Sequence, residues 1–100
     1  MIDLPAAEIE EVRRLVARHL PGREVRVFGS RAEGSARRFS DLDLAVVGPA
    51  PDEELEALRD AFSESDLPIQ VDVVRWEDLP EGIREGIGNR FVVLQEAEGR

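Results

Sequence analysis

The sequence predicts an α/β (α+β) two-layer domain, a small mixed β-sheet with helices packed on it. Three observations carry that prediction. Apolar residues recur alternately at helical and at strand spacing, in the order α-β-turn-β-α-β-α-β. Pro and Gly clusters, Pro21-Gly22 and Gly48-Pro49-Ala50-Pro51, cut the chain where the spacing changes. Hydrophobic residues make up 42% of the 100 residues but include only four Phe and one Trp, so one aliphatic core is expected and residues 1–100 read as a single domain.

Asp3-Leu4-Pro5 reads as the start of a helix that runs to about Leu20. Proline in the first turn gives up no needed N–H, and Glu8, Glu10 and Glu11 sit near the positive end of the helix dipole. Ile9, Val12, Leu15, Val16 and Leu20 form its apolar stripe, and Arg13, Arg14 and Arg18 load the later turns favourably. His19, the only histidine, falls near the helix C-terminus, where a partly cationic ring is welcome; it reads as a structural or surface residue. Val25 to Phe28 is a short strand that delivers the chain to Gly29-Ser30, and Ser30 to Glu33 can form one helical turn closed by Gly34. A loop containing Ser35, Arg37, Arg38 and Ser40 leads to a second strand, Leu42 to Val47. Asp52-Glu53-Glu54 is expected to cap a second helix that ends near Ser65, with Leu55, Leu58, Ala61 and Phe62 as its buried stripe. Ile69 to Val74 is a third strand. One further helix is expected between Trp76 and Gly88, with Leu79, Ile83 and Ile87 on one face and Pro80 tolerable only in its first turn. Phe91 to Leu94 is the last strand. Strand order cannot be read from this pattern.

Composition removes several function classes. A net charge of −9 argues against a general nucleic-acid binder, whose polyanionic ligand would be repelled, and no direct nucleic-acid binding is expected. The absence of cysteine excludes disulfides, zinc–thiolate sites and thiol catalysis. No apolar run approaches the ~18 residues of a membrane span, and a cytoplasmic protein is expected. All thirteen basic residues are Arg, which suits bidentate phosphate contacts but is explained first by a GC-rich genome. Eight of them fall within the first 38 residues, so a local basic rim can surround the Gly29-Ser30 turn.

The residues that carry chemistry lie between Phe28 and Val47. Side chains two apart on a strand share a face, so Asp41 and Asp43 project together, about 6–7 Å apart, while Leu42, Leu44 and Val46 face the other layer. Such a pair can hold divalent cations, and all-oxygen ligands favour magnesium, with manganese as the alternative, over zinc. Taken alone, an acidic pair at a strand start is weak evidence and is more often a solvated surface feature. Asp72 changes the balance, because a carboxylate inside the β-branched run Ile69 to Val74 is costly unless it is paired or ligates a metal. It either joins Asp41 and Asp43 from a neighbouring strand or faces outward against an Arg. Gly29 lets a ligand approach the backbone, and Ser30 adds a hydroxyl donor beside the N–H groups of the following turn. Ten residues separate Ser30 from Asp41. A phosphate cradle facing a metal site is the arrangement needed for in-line attack on phosphorus.

Gly29-Ser30, ten residues, Asp41-X-Asp43 and a later strand Asp72 together resemble the nucleotidyltransferase superfamily that includes the DNA polymerase β-like enzymes. At this length the chain looks like the minimal nucleotidyltransferase (MNT) subgroup, the antitoxin half of HEPN–MNT toxin–antitoxin pairs, over nearly all of its residues. The resemblance implies the nucleotidyltransferase fold and transfer of AMP from ATP to a hydroxyl, with release of pyrophosphate. It implies that Gly29 and Ser30 hold the triphosphate and that Asp41 and Asp43 bind two magnesium ions. Asp72 would complete the metal site and help deprotonate the acceptor. The acceptor implied is a tyrosine of a cognate HEPN ribonuclease toxin, with which an oligomer is expected. Arg31 is either an extra phosphate contact or a solvated loop charge. Glu33 stands where many relatives carry a basic residue, which implies a less positive rim. Two alternatives stay open: the same chemistry on a small molecule, and a non-catalytic module that silences a toxin by contact.

Overall fold

The computed structural model describes residues 1–98. Eight elements follow one another: α1 (Ala6–His19), β1 (Glu24–Phe28), α2 (Ser30–Glu33), β2 (Leu42–Val47), α3 (Asp52–Ser63), β3 (Val71–Arg75), α4 (Glu81–Ile87) and β4 (Val92–Gln95), with a 3-10 turn at Trp76–Asp78. The strands make one mixed sheet in the order β3-β2-β1-β4. β1 pairs antiparallel with β2, which follows it after the α2 turn and a loop, and on its other edge antiparallel with β4, the last strand of the chain. β2 and β3 are parallel, and α3 is the crossover between them.

Alternation on the strands decides what the two faces do. Val25 and Val27 of β1, Leu42, Leu44 and Val46 of β2, Val73 of β3 and Leu94 of β4 are buried in one aliphatic cluster with Val12, Leu15 and Val16 of α1 and Leu55, Leu58 and Phe62 of α3. The opposite face carries Arg26, Asp43 and Asp72. There the Arg26 guanidinium lies 4.1 Å from the Phe91 ring centre and 4.7 Å from that of Trp76, and the two rings meet edge to face at 5.8 Å. This stack fastens the segments flanking α4 to the centre of the sheet.

The element order, β2 and the helical turn of α2 match expectation residue for residue, and the small mixed sheet with packed helices is the class expected. Four details differ. The helix expected between Trp76 and Gly88 is divided at Pro80, which has no N–H to donate and holds Leu79 extended (φ −69°, ψ 137°). The stripe is broken with it: Ile87 is buried, but Ile83 is 51% exposed. β3 begins at Val71 rather than Ile69, because its partner β2 begins at Leu42 and the ladder starts with that pair. β4 begins at Val92 rather than Phe91, whose ring is taken up by Arg26 and Trp76. Asp52, Glu53 and Glu54 do not cap α3: Pro51 precedes the first turn with no side-chain cap, so these carboxylates favour the helix through its dipole, while Asp52 also pairs with Arg75 and Glu54 with Arg23. Among the described residues, no helix is long and apolar enough to cross a membrane.

Candidate active site

β1 ends at Phe28, in register with Asp43 on β2, and the chain turns sharply at Gly29 (φ 78°, ψ −155°), a conformation open only to glycine. The Gly29 carbonyl accepts the N–H groups of Ala32 and Glu33, and Gly34, in the left-handed region, closes the turn by donating to the Ser30 carbonyl. Gly29 has a second role that the sequence did not disclose. A Cβ at this position would stand 2.7 Å from Oδ2 of Asp43, so the carboxylate is packed against bare backbone. The two halves of the motif, ten residues apart in sequence, touch.

Asp41 lies exposed at the mouth of β2, and Asp43 is half-buried one pleat further in. Asp72 is the Cα partner of Asp43 in the parallel β2–β3 ladder, so both side chains leave the same face of adjacent strands. Burial first, then the charge of Asp72, then that of Asp41, push the Asp43 carboxyl above the ordinary aspartate range. The sheet thus brings all three expected carboxylates into one field. Among the described residues no three His, Cys, Asp or Glu side chains close around a common point, so the carboxylates are neighbours rather than a finished cage. An all-oxygen donor set under mutual repulsion fits a hard divalent cation such as magnesium. The sequence pattern alone did not single out Gln70, whose side-chain amide donates to Oδ1 of Asp72 at 2.9 Å. The period-two spacing of Gln70 and Asp72 was the available signal.

Arg31 departs from both expectations set for it. It is 5% exposed, and its guanidinium donates to the carbonyls of Asp3 (2.8 Å), Arg37 (3.2 Å), Arg38 (3.3 Å) and Ser40 (2.9 Å). It is neither held out to a phosphate nor solvated; it ties the loop before β2 to the chain before α1. The basic rim is reduced accordingly, since Arg26 is also engaged, in the aromatic stack. Glu33, one turn beyond Ser30, is paired with Arg90 at 3.1 Å, so its charge beside the cradle is offset. The groove of about 580 Å³ between α1 and α3 is lined by residues such as Arg14, His19 and Asp60 and by none of the site residues.

Residues 9–97 match the nucleotidyltransferase domain family. The chain is 40% identical over 99 residues to the Probable protein adenylyltransferase MntA of Haemophilus influenzae, covering 97% of this chain and 87% of that one. A solved structure reported as a minimal nucleotidyltransferase is 38% identical, with a TM-score of 0.65 over 86% of this chain and 88% of the other. A chain from the complex of tri-AMPylated Shewanella oneidensis HEPN toxin with MNT antitoxin superposes with a TM-score of 0.65 over 91% of this chain and 71% of that one. At 17% identity, that last likeness is one of fold.

Proposed function

The chain belongs to the nucleotidyltransferase domain family, and we propose that within it this protein transfers AMP from ATP to a tyrosine hydroxyl of a cognate HEPN ribonuclease toxin, acting as its antitoxin in the cytoplasm. The relative named as a protein adenylyltransferase supports protein as the acceptor, and the AMPylated HEPN toxin held by an MNT antitoxin supports the partner. The observation that carries the reading is the placement of Asp43, packed on Gly29 at one side and in register with Asp72 at the other.

In this reading the backbone at Gly29 and the Ser30 hydroxyl hold the triphosphate oxygens. Asp41 and Asp43, with Asp72, would hold magnesium, which supplies charge neutralisation at the α-phosphate and at the departing pyrophosphate. Asp72, oriented by Gln70, accepts the proton of the attacking hydroxyl. The acceptor oxygen bonds to the α-phosphorus as the bond from that phosphorus to the β-phosphate bridging oxygen breaks, and pyrophosphate leaves. The rigid ladder between β2 and β3 fixes the distance between proton acceptor and phosphorus, which is where positioning contributes to rate.

The test is to incubate the protein with magnesium and ATP and the product of the gene beside its own, then weigh the latter by intact mass spectrometry. A gain of one or more AMP units, lost in Asp41→Ala/Asp43→Ala, is the expected result. A toxin silenced with no gain in mass would overturn the reading in favour of inhibition by contact.

A further inference from the structure

The turn at Gly29-Ser30 has a cation on its β4 side to which the reaction above assigns no part. Arg90 precedes β4, and its guanidinium meets the Glu33 carboxylate at 3.1 Å (Nη1 to Oε1) while Nη2 donates to the Gly86 carbonyl near the end of α4. The Arg90 backbone N–H donates to the Ile87 carbonyl at 2.8 Å, so main chain and side chain are both anchored. These contacts leave most of the guanidinium's donors uncommitted among the described residues, and the side chain is 60% exposed. An exposed ion pair of this kind contributes little to stability, whereas the same guanidinium binds a phosphate strongly.

The strand register places Arg90 beside the cradle. Val27 and Val92 form the last rung of the β1–β4 ladder, so Gly29 and Arg90 each lie two residues beyond it at the same end of the sheet. On the other edge of β1, Phe28 and Asp43 form the last rung with β2. The turn after β1 is therefore flanked by Asp43 from β2 and by Arg90 from β4, strands two places apart and about 10 Å from each other. Ser30 and Glu33, three apart on α2, are neighbours on one side of that helical turn, which sets the guanidinium paired with Glu33 about one turn from the Ser30 hydroxyl. Charge points the same way. Arg31 is committed to four backbone carbonyls and Arg26 to Glu24 and the aromatic stack. A triphosphate at Ser30 would face Glu33, and the charge that offsets Glu33 is that of Arg90.

We propose that Arg90 is a polyphosphate-binding residue, its guanidinium contacting the β- and γ-phosphate oxygens of the nucleotide while Glu33 holds it beside the Ser30 turn. This rests on the triphosphate position at Gly29 and Ser30 proposed above. In this arrangement the carboxylates lie toward the α-phosphate and Arg90 toward the far end, where negative charge collects on the departing pyrophosphate. A cation supplied from the segment after α4 thus completes the cradle that the Gly29-Ser30 turn begins.

The test measures the affinities for ATP and for AMP, each with magnesium, by calorimetry. Arg90→Ala is expected to weaken ATP binding by about 10–100-fold, the loss of a charge-assisted contact, and to leave AMP binding within about twofold. Arg18→Ala, which removes the same charge from the groove between α1 and α3, is the control and should leave both affinities unchanged. Glu33→Lys in the Arg90→Ala background returns a cation to the same side of the turn and is expected to recover most of the ATP affinity. Arg90→Lys, which keeps the charge without the fork, should bind ATP with an affinity between those of wild type and Arg90→Ala. Unchanged ATP affinity in Arg90→Ala would overturn the proposal, as would no binding of ATP by the wild type. An equal loss for AMP would overturn it and make Arg90 a support of the turn. So would ATP binding as weak as that of Arg90→Ala in both the rescue variant and Arg90→Lys. Failure of the transfer reading looks different: the wild type binds ATP and Arg90→Ala weakens it, while the product of the neighbouring gene gains no mass.

Discussion

Gly29→Ala separates the conformational role of the glycine from its steric role. At φ 78° and ψ −155° any side chain strains the backbone, which costs about 1–3 kcal/mol. The added Cβ would also meet Oδ2 of Asp43 at 2.7 Å. Ordinary contact begins at 3.4 Å, so the carboxylate must move by about 0.7 Å. A displacement of about 1 Å in a reacting constellation costs ~100-fold in rate, so a loss of about 25-fold in AMP transfer is expected for ~0.7 Å. In a domain of this size each kcal/mol lowers the melting temperature by ~4–8 °C, which places the melting temperature of Gly29→Ala about 5–20 °C below wild type. Both quantities are measured on one preparation, transfer by intact mass over time and melting by circular dichroism. The decisive comparison repeats the substitution in an Asp43→Ala background, where only the backbone strain remains and the cost to melting should be smaller. Equal cost in both backgrounds would refute the steric argument. A variant with the wild-type rate would refute the placement of Asp43 at the chemistry.

Further predictions follow from the same contacts. Asp43 is held above the ordinary aspartate pKa by burial, then by Asp72 and Asp41, so its contribution to stability is fully present below the unfolded-chain pKa and is lost as pH rises through the folded one. In the presence of a chelator, Asp43→Asn should therefore melt higher than wild type at neutral pH and no higher in acid, while losing transfer; equal melting at both pH values would refute this. Magnesium at about a hundred times its dissociation constant should stabilise the wild type by ~2.7 kcal/mol and leave Asp41→Asn/Asp43→Asn unmoved, as read by thermal melting. Arg31→Lys should destabilise the fold by about 2–4 kcal/mol in denaturant unfolding, since a single ammonium cannot reach all four carbonyls. A Lys variant as stable as wild type would show that the loop does not depend on the fork.

Local features were legible wherever one period or one breaker decided the outcome. Leu42 to Val47 has a single reading as a strand, and Gly34 closes the turn after Ser30 by the left-handed conformation expected of it. Pro80 was recognised as a constraint, yet the apolar spacing of Leu79, Ile83 and Ile87 favoured one helix; the missing N–H prevailed because α4 buries little beyond Ile87. The three carboxylates were legible as types in strand context, but their convergence was not, because it depends on β3 lying beside β2 and on a register that only the α3 crossover sets. Arg31 was misread for a related reason. Its partners Asp3, Arg37, Arg38 and Ser40 are backbone carbonyls, and a carbonyl leaves no mark in a sequence.

Arg31 also explains how so small a domain keeps a charged site in order. The loop from Ser35 to Asp41 contains no helix or strand, and its only aromatic, Phe39, contributes nothing to the core. Apolar burial therefore cannot fix its path. Hydrogen bonds from one buried cation do so instead, at a desolvation cost offset only if every donor finds a partner. The same loop ends at Asp41, so the geometry of the first carboxylate depends on that guanidinium as much as on β2. Gly29 immobilises Asp43 from one side and Arg31 immobilises the approach to Asp41 from the other, and these residues stand two positions apart at the turn after β1. The Gly-Ser-Arg turn is thus a structural hub for the carboxylates as well as the proposed triphosphate cradle, and damage to it should appear in transfer rates and in binding of ATP together.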